Sequence, residues 1–420
     1  MFEEMIDSRF PKMVKVRQRF NTPEITDINK IVKTQIMQPK FSKCIRKGSR
    51  IAILVGSRGI GRIDEIVPAV IENIRELGAE PFIVPAMGSH GGATAEGQKE
   101  ILKSLGITEE SAGASIISSM ETVELGVSSV GLPVYFDANA AKADGIIPIG
   151  RVKAHTAFRY KTESGLIKML TIGAGKQKGA DVLHSHFSVD GFGELLYKTY
   201  LYSCSKLPIL GGIAIVENSF DRPAIIEAIP QQEISKREPE LLKLAFQYMP
   251  KIPFHHFDVL IVDEIGKNIS GDGMDPNVTG RFATSLKNEM EYQRLVVLDL
   301  TKETHGNGLG IGLADMTTKK VASKMDYKQA YMNAFTSKIV MSAVKMPMTL
   351  DSDKEAIGVA LKSCIGIDAG THKVVRIKNT LAVQEFEISD TLIDVAKQLP
   401  NLEIIGNPVE MRFDKNGNII

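Results

Sequence analysis

The sequence predicts an α/β protein of two α/β domains, with a doubly wound, mainly parallel sheet in the N-terminal domain. The chain has 420 residues, enough for two domains, and short apolar runs alternate along it with segments of helical periodicity. Hydrophobic residues make up 43% and charged residues 24%, which is typical of a protein with a substantial core. Charged helical sequence interrupted by prolines begins near residue 227, so we expect domains at residues 1–254 and 255–420.

The first βα unit is predicted at residues 51–77. Residues 51–55 (IAILV) form a continuous apolar run, which is typical of a strand buried on both faces of a parallel sheet. The loop GSRGIG follows it. Residues 64–77 then have apolar side chains at helical spacing, with acids in the first turn and Gly78 after the last.

A second unit repeats this order, with a strand at 81–84, the loop PAMGSHGG and a helix at 95–105 capped by Thr94. Further apolar runs predict strands at 114–117, 133–136, 145–149, 209–216, 259–262, 295–298 and 402–406. Loops after parallel strands meet at one edge of the sheet. This edge is the usual place for a site, and we expect the C-terminal domain to close it.

Charge and cysteine usage exclude several classes of protein. The formal net charge is +1, which gives no electrostatic footprint for nucleic acid or an anionic membrane. The three cysteines lie far apart, which excludes a cysteine-built zinc or iron–sulfur site and favours a reducing compartment. The N-terminus is acidic, and no apolar run reaches the ~18 residues of a membrane span. We therefore expect a cytoplasmic enzyme or binding protein.

The loop GSRGIG allows a nicotinamide-dependent oxidoreductase of short-chain dehydrogenase type as an alternative. A strand–glycine loop–helix unit presents backbone amides to phosphate, and Tyr202 and Lys206 form the YxxxK pattern of that family. However, Leu54 and Val55 stand where the family has Thr-Gly, and Val189 stands where it has a serine.

The histidines favour a different chemistry. Four of the eight lie in loops after predicted strands or in a glycine-broken segment, close to a lysine and an arginine: His90, His155, His184, His186, Lys168 and Arg58. Two groups that exchange protons near neutral pH, with a cationic anchor beside them, indicate proton transfer on an anionic substrate.

These residues also carry a family resemblance. The ordered set Ser57-Arg58, Gly88-Ser89-His90, His155, residues 165–168 (GLIK) and His184 resembles the nickel-dependent lactate racemase family. The resemblance implies a racemase or epimerase that moves hydrogen as hydride to a cofactor. The sequence departs from the family in lacking the acid before the arginine, the Gly-Gly before the lysine and any tryptophan, so the identity of the 2-hydroxy acid is left open.

The cofactor implied by the resemblance is a nickel pincer nucleotide, a pyridinium-3-thioamide-5-thiocarboxylic acid mononucleotide. The family pattern makes Lys168 its covalent tether and His184 the nickel ligand, with His186 as the alternative. Lys176 and Lys178 are candidates to meet the nucleotide phosphate. Loading would require cofactor-maturation proteins as partners.

The substrate roles follow the same resemblance. His90 and His155 are expected to act as an acid/base pair on the two sides of the substrate. The Arg58 guanidinium is expected to bind the substrate carboxylate through two parallel hydrogen bonds. A long polar loop of the second domain supplies candidates for substrate contacts: Lys267, Asn277 and Arg281. A homo-oligomer is possible, and a non-catalytic two-domain binding protein is the remaining alternative.

Overall fold

The computed structural model describes residues 9–20, 22–57, 59–287 and 289–420. The strands in chain order are β1 (Met13–Gln18), β2 (Arg50–Val55), β3 (Glu80–Pro85), β4 (Thr122–Val127), β5 (Pro133–Asp137), β6 (Gly145–Arg151), β7 (Gly211–Glu217), β8 (Pro223–Pro230), β9 (Val259–Ile265), β10 (Arg294–Leu300), β11 (Met316–Thr318), β12 (Met348–Leu350), β13 (Val374–Ile377), β14 (Glu385–Ser389) and β15 (Leu402–Val409).

The α-helices are Ile28–Ile36, Pro39–Ser42, Ile63–Glu76, Ala95–Ser104, Glu109–Ala112, Leu166–Lys168, Lys176–Ser185, Phe192–Lys206, Gln231–Tyr248, Pro276–Thr279, Lys319–Lys324, Tyr327–Ser337, Asp353–Lys362 and Ile393–Ala396. Within the described ranges, none of them combines the length and apolarity that a membrane crossing needs. The chain divides into two compact units, one of residues 22–249 and one that joins residues 9–20 to residues 250–420.

The unit of residues 22–249 is built on a five-stranded sheet in the order β3-β2-β6-β7-β8. The first four strands are parallel, and β8 closes one edge antiparallel to β7. Because β2, β3 and β6 are adjacent and parallel, the loops that follow them emerge together at one edge. The expected doubly wound, mainly parallel sheet is confirmed.

Strand β2 is buried on both faces, as its apolar run predicts. Ile51 and Ile53 belong to a core shared with the helix Ile63–Glu76, whereas Ala52 and Leu54 belong to a core on the opposite face. Helices therefore cover both faces of the sheet, which explains why β2 has no alternation of apolar and polar residues.

Two strand predictions in this unit differ from the structure. Residues 114–117 form only an isolated bridge from Ile116 to Ile83. The predicted strand at 133–136 exists as β5, but it pairs with β4 in a separate two-stranded sheet. A short apolar run shows that a segment is buried, but it does not specify which partner the segment pairs with.

The other unit is built on an eight-stranded sheet in the order β12-β11-β10-β9-β13-β14-β1-β15. The strands from β12 to β13 are parallel, and the remaining pairs are antiparallel. Strand β1 lies between β14 and β15, so residues 9–20 belong to this unit rather than to a first domain of residues 1–254. The units also divide at residue 249, a few residues before the expected boundary.

Candidate active site

Three residues of the family pattern follow three adjacent parallel strands. Ser57 comes after β2, His90 after β3 and His155 after β6. The Ser57 hydroxyl and the His90 Nδ1 are hydrogen-bonded, which links the first two loops. Arg58, the predicted carboxylate-binding residue, lies outside the described residues.

Lys168 ends the short helix Leu166–Lys168, which continues as a π-helical turn over Met169–Gly173. This segment approaches the ends of two strands closely. A Cβ atom on Gly56 would lie 3.6 Å from the Met169 sulfur, and one on Gly150 would lie 3.0 Å from the same sulfur. The contact at Gly150 is tighter than side chains normally make, so glycine there lets the segment that carries Lys168 pack against the loop after β6, whereas a Cβ at position 56 would make an ordinary contact.

Lys168 and His155 form a direct pair. The Lys168 Nζ lies 2.6 Å from the His155 Nε2. The other ring nitrogen, Nδ1, accepts a hydrogen bond of 3.1 Å from the Ala157 backbone N–H. The Phe158 ring lies 4.4 Å from the imidazole, centroid to centroid. The imidazole orientation is therefore fixed at both nitrogens and on one face.

The surroundings of His155 favour its uncharged form. Protein atoms surround the ring and exclude water from it. This desolvation is the largest effect, and it lowers the pKa of His155 well below its usual value. The positive charges of Lys168, Lys153, His184 and Arg159 lower it further. His155 is therefore uncharged near neutral pH.

Glu163 opposes this positive charge and was not predicted from the sequence. Its buried carboxylate accepts a hydrogen bond of 2.6 Å from the His155 backbone N–H and lies 3.4 Å from Arg159. Burial raises the pKa of Glu163 to about 7, although these hydrogen bonds oppose the change. The sequence offered one signal for it, an acid within the loop that joins His155 to Lys168.

His184 and His186 point differently because they lie at the end of one helix, Lys176–Ser185. His184 is half-buried, its ring lies 5.8 Å from that of Phe192, and its charge acts on His155. His186 is exposed, and its Nδ1 lies 2.9 Å from the Val182 carbonyl of its own helix. Of the two, His184 is the one beside the His155–Lys168 pair.

The placement of Lys176 corrects its prediction as a phosphate-binding residue. Its side chain is fully buried, and its ammonium lies 3.2 Å from the Asp137 carboxylate and 3.0 Å from the Gln98 Oε1. These internal partners occupy the group that a phosphate would need. Lys178 is exposed, with its ammonium 4.2 Å above the Tyr135 ring, and its phosphate contact stays a prediction.

A buried carboxylate holds the start of the Lys168 segment. Glu238 is fully buried, and its Oε2 accepts hydrogen bonds of 2.8 Å from the Leu166 N–H and 3.2 Å from the Ile167 N–H. Among the described residues its Oε1 has no hydrogen-bond partner. Burial raises the pKa of Glu238 to about 7 against these two bonds. A Cβ atom on Gly165 would lie 2.7 Å from the carboxyl carbon, which explains the glycine there.

The raised pKa of Glu238 predicts that the free energy of unfolding falls as the pH rises. Since its pKa is about 7 in the folded chain and 4.5 is the ordinary value, the folded state binds the proton more tightly. The stabilisation is fully present below about pH 4.5 and is lost as the pH rises through about 7. Between pH 5.5 and 8.5 the melting temperature of Glu238→Gln should therefore fall less than that of wild type, by a few degrees.

Calorimetry across this pH range measures the difference. Glu240→Gln, which changes an exposed carboxylate on the same helix, is the control and should follow wild type. Identical slopes for Glu238→Gln and wild type would contradict the assignment.

The remaining predicted residues lie in the other unit, where each has partners nearby. The Lys267 ammonium donates to the Gly271 carbonyl, and the Asn277 side-chain amide donates to Asp275 at 2.9 Å. Arg281 lies 3.2 Å from Asp315 and 4.9 Å from the Tyr292 ring centroid. These contacts hold their own loops together, and substrate contacts by the three residues stay predictions.

The glycine loop after β2 does not fit dinucleotide phosphates. The Gly61 N–H donates to the Glu217 carboxylate at 2.6 Å, and the same carboxylate pairs with Arg151. The Glu217 carboxylate therefore already accepts the hydrogen bond of a backbone N–H that a phosphate would need. The Tyr202 hydroxyl donates to the Leu125 carbonyl at 3.1 Å, so this tyrosine has a structural partner. These observations disfavour the short-chain dehydrogenase alternative.

Comparisons with known proteins agree with this geometry. Residues 7–191 match the model of the lactate racemase N-terminal domain. The fold is similar to that of the lactate racemase apoprotein from Thermoanaerobacterium thermosaccharolyticum, with a TM-score of 0.54 and 13% identity over 87% of this chain and 94% of that chain. A search of curated proteins gives no match. The match over residues 7–191 and the shared fold together make this chain similar to the lactate racemases.

Proposed function

We propose that this protein is an isomerase, a racemase or epimerase of a 2-hydroxy acid that works with a tethered nickel pincer nucleotide. The observation that carries the proposal is the contact of 2.6 Å between Lys168 and His155, with the charge of His184 acting on the same imidazole. An amine and two imidazoles thus meet beside the ends of adjacent parallel strands, which is the usual position of a site in such a sheet.

The donor set fits this cofactor. A thioamide tether needs an uncharged primary amine. Lys168 supplies a primary amine, and its Nζ lies 2.6 Å from His155 Nε2. His184 supplies an imidazole nitrogen, a ligand type that suits nickel. When bound, the cofactor supplies a reversible acceptor for hydride from the substrate carbon.

The side chains of the chain would handle the hydroxyl proton. His155, kept uncharged by its surroundings, accepts this proton on one side of the substrate. His90, hydrogen-bonded to Ser57, does so on the other side. The opposite histidine, protonated at the start, would give a proton back to the oxygen, and inversion would depend on the face at which the substrate carbon regains its hydrogen. Lys153 and Arg159 add positive charge near His155, which favours a substrate that carries a carboxylate.

The nickel ligand gives the sharpest test of the cofactor assignment. Purified with its maturation proteins, the wild-type chain should contain nickel by elemental analysis. His184→Ala should lose most of the metal because it removes the imidazole proposed to ligate nickel, whereas His186→Ala should retain it because that side chain is exposed and its Nδ1 lies beside the Val182 carbonyl.

The paired histidine variants make this test decisive. They change the same residue type at the end of one helix, so a general loss of stability would lower the nickel content of both. Nickel lost only from His186→Ala would transfer the ligand role to His186. A wild-type chain that contains no nickel after loading would contradict the proposed function.

The partners follow from the same proposal. They comprise a small 2-hydroxy acid as substrate and the proteins that build and load the cofactor, in a cytoplasmic setting. Size-exclusion chromatography with light scattering would establish whether the loaded chain is a homo-oligomer.

A further inference from the structure

Three fully buried polar side chains form one network beneath the site loops. The Lys176 ammonium contacts Asp137 at 3.2 Å and Gln98 Oε1 at 3.0 Å, and it donates to the Pro85 carbonyl at the end of β3. Asp137 also accepts two backbone hydrogen bonds of 2.8 Å through its other oxygen. We refer to Gln98, Asp137 and Lys176 as the buried brace.

The buried brace connects two parts of the proposed site. The Gln98 Nε2 donates to the backbone carbonyls of Gly88 at 3.0 Å and of His90 at 3.3 Å, so it holds the loop that carries His90. Lys176 is the first residue of the helix that carries His184. One amide side chain therefore bonds the His90 loop on one side and the beginning of the His184 helix on the other.

The buried brace has two unfavourable features, the backbone conformation of Lys176 and the burial of its charge. Lys176 has a φ of 53°, in the left-handed backbone region that residues other than glycine rarely adopt. Its charge is also fully buried, and this burial lowers its pKa even though Asp137 acts in the opposite direction. Strained and buried polar arrangements persist where the surrounding structure requires them, and they cluster at functional sites.

We propose that Gln98 is a positioning residue for the reaction, which, together with Lys176 and Asp137, fixes the His90 imidazole relative to the helix that carries His184. The inference rests on the proposed function, since it assigns His90 to proton transfer and His184 to the metal. Gln98 itself lies behind the loop and acts through backbone carbonyls. Loss of Gln98 should displace His90, and displacing an acid/base lowers the rate of the chemical step more than it weakens substrate binding.

The test replaces Gln98 with methionine, which keeps the length of the side chain and removes both its donor and its acceptor. Gln177→Met, which changes an exposed glutamine beside Lys176, is the matched control. In the loaded enzyme we expect kcat of Gln98→Met to fall by about 10²-fold with KM close to that of wild type. Nickel content should be unchanged, and Gln177→Met should match wild type in every measurement.

A second measurement does not depend on racemase activity. Diethyl pyrocarbonate modifies accessible imidazoles, and mass spectrometry of the peptides gives the rate at each histidine. His90 and His256 are both exposed, so each is open to the reagent. When the His90 loop loses Gln98, its contact with Ser57 should loosen, and the rate at His90 should rise several-fold while the rate at His256 stays constant. A general destabilisation would raise both rates.

A Gln98→Glu variant separates the two halves of the buried brace. It keeps an acceptor for Lys176 and removes the donor to the His90 loop, so it should stay folded and still show the faster modification of His90. Unchanged modification at His90 in both variants would overturn the inference. Absence of racemase activity in wild type would overturn the proposed function instead, since the labelling still reports on the loop.

Discussion

The Lys168→Arg variant should remain folded, carry no cofactor mass and have no racemase activity above background. A thioamide forms only on a primary amine, and the guanidinium stays charged and unreactive at neutral pH. The change keeps a long cationic side chain at a half-buried position, so the free energy of unfolding should change little. The effect should therefore be confined to loading of the cofactor.

Intact mass spectrometry of chains purified with the maturation proteins measures this effect directly. Wild type should exceed its apo mass by a nucleotide adduct, and peptide mapping should place the adduct on Lys168. Lys206→Arg, which changes a lysine stacked 5.5 Å from the Tyr202 ring, is the matched control and should keep the adduct. An active wild-type sample with an unmodified Lys168 would refute the tether.

The second large effect is expected at the two histidines proposed as the acid/base pair. His155→Gln and His90→Gln should each lower kcat by about 10²–10⁴-fold, the usual contribution of a positioned acid or base. Glutamine can keep a hydrogen bond to Lys168 or to Ser57, but it cannot exchange protons near neutral pH. Nickel content should stay at the wild-type level, because neither histidine is the proposed metal ligand.

Kinetics in both directions of the racemisation distinguish the two histidines. If each serves one side of the substrate, each single variant should lose racemisation but still oxidise the enantiomer that its partner serves to the 2-keto acid in a single turnover. His256→Gln, at an exposed position paired with Glu291, is the control and should behave as wild type. A histidine whose replacement leaves kcat near normal has no part in proton transfer.

Sequence reasoning located the features that depend on local information. Three such features depend only on neighbouring residues, and the structure contains all of them. They are the apolar run of β2, the acids in the first turn of the helix Ile63–Glu76 and the Thr94 cap. Because adjacent parallel strands end at one edge, the positions of Ser57, His90 and His155 after such strands followed from the same local patterns.

Other features depend on contacts between distant residues, which no local pattern encodes. Lys176 follows a glycine and looks like a surface lysine, yet its burial depends on Gln98, 78 residues away in the sequence. The roles of Glu163 and Glu238 likewise depend on backbone amides that the fold brings to them. Strand β1 alternates buried and exposed residues, but its neighbours β14 and β15 lie more than 360 residues along the chain, which no local pattern indicates.

The position of β1 has a consequence for biosynthesis. This strand leaves the ribosome long before its neighbours β14 and β15, because Arg17 and Glu385, which pair across β1 and β14, are 368 residues apart. At ordinary elongation rates β1 must wait roughly 20–70 s for them. Residues 22–249 can complete their sheet during that interval, while Val14 and Val16 remain open to aggregation. Chains that terminate before β14 should therefore be poorly soluble even though residues 22–249 are intact.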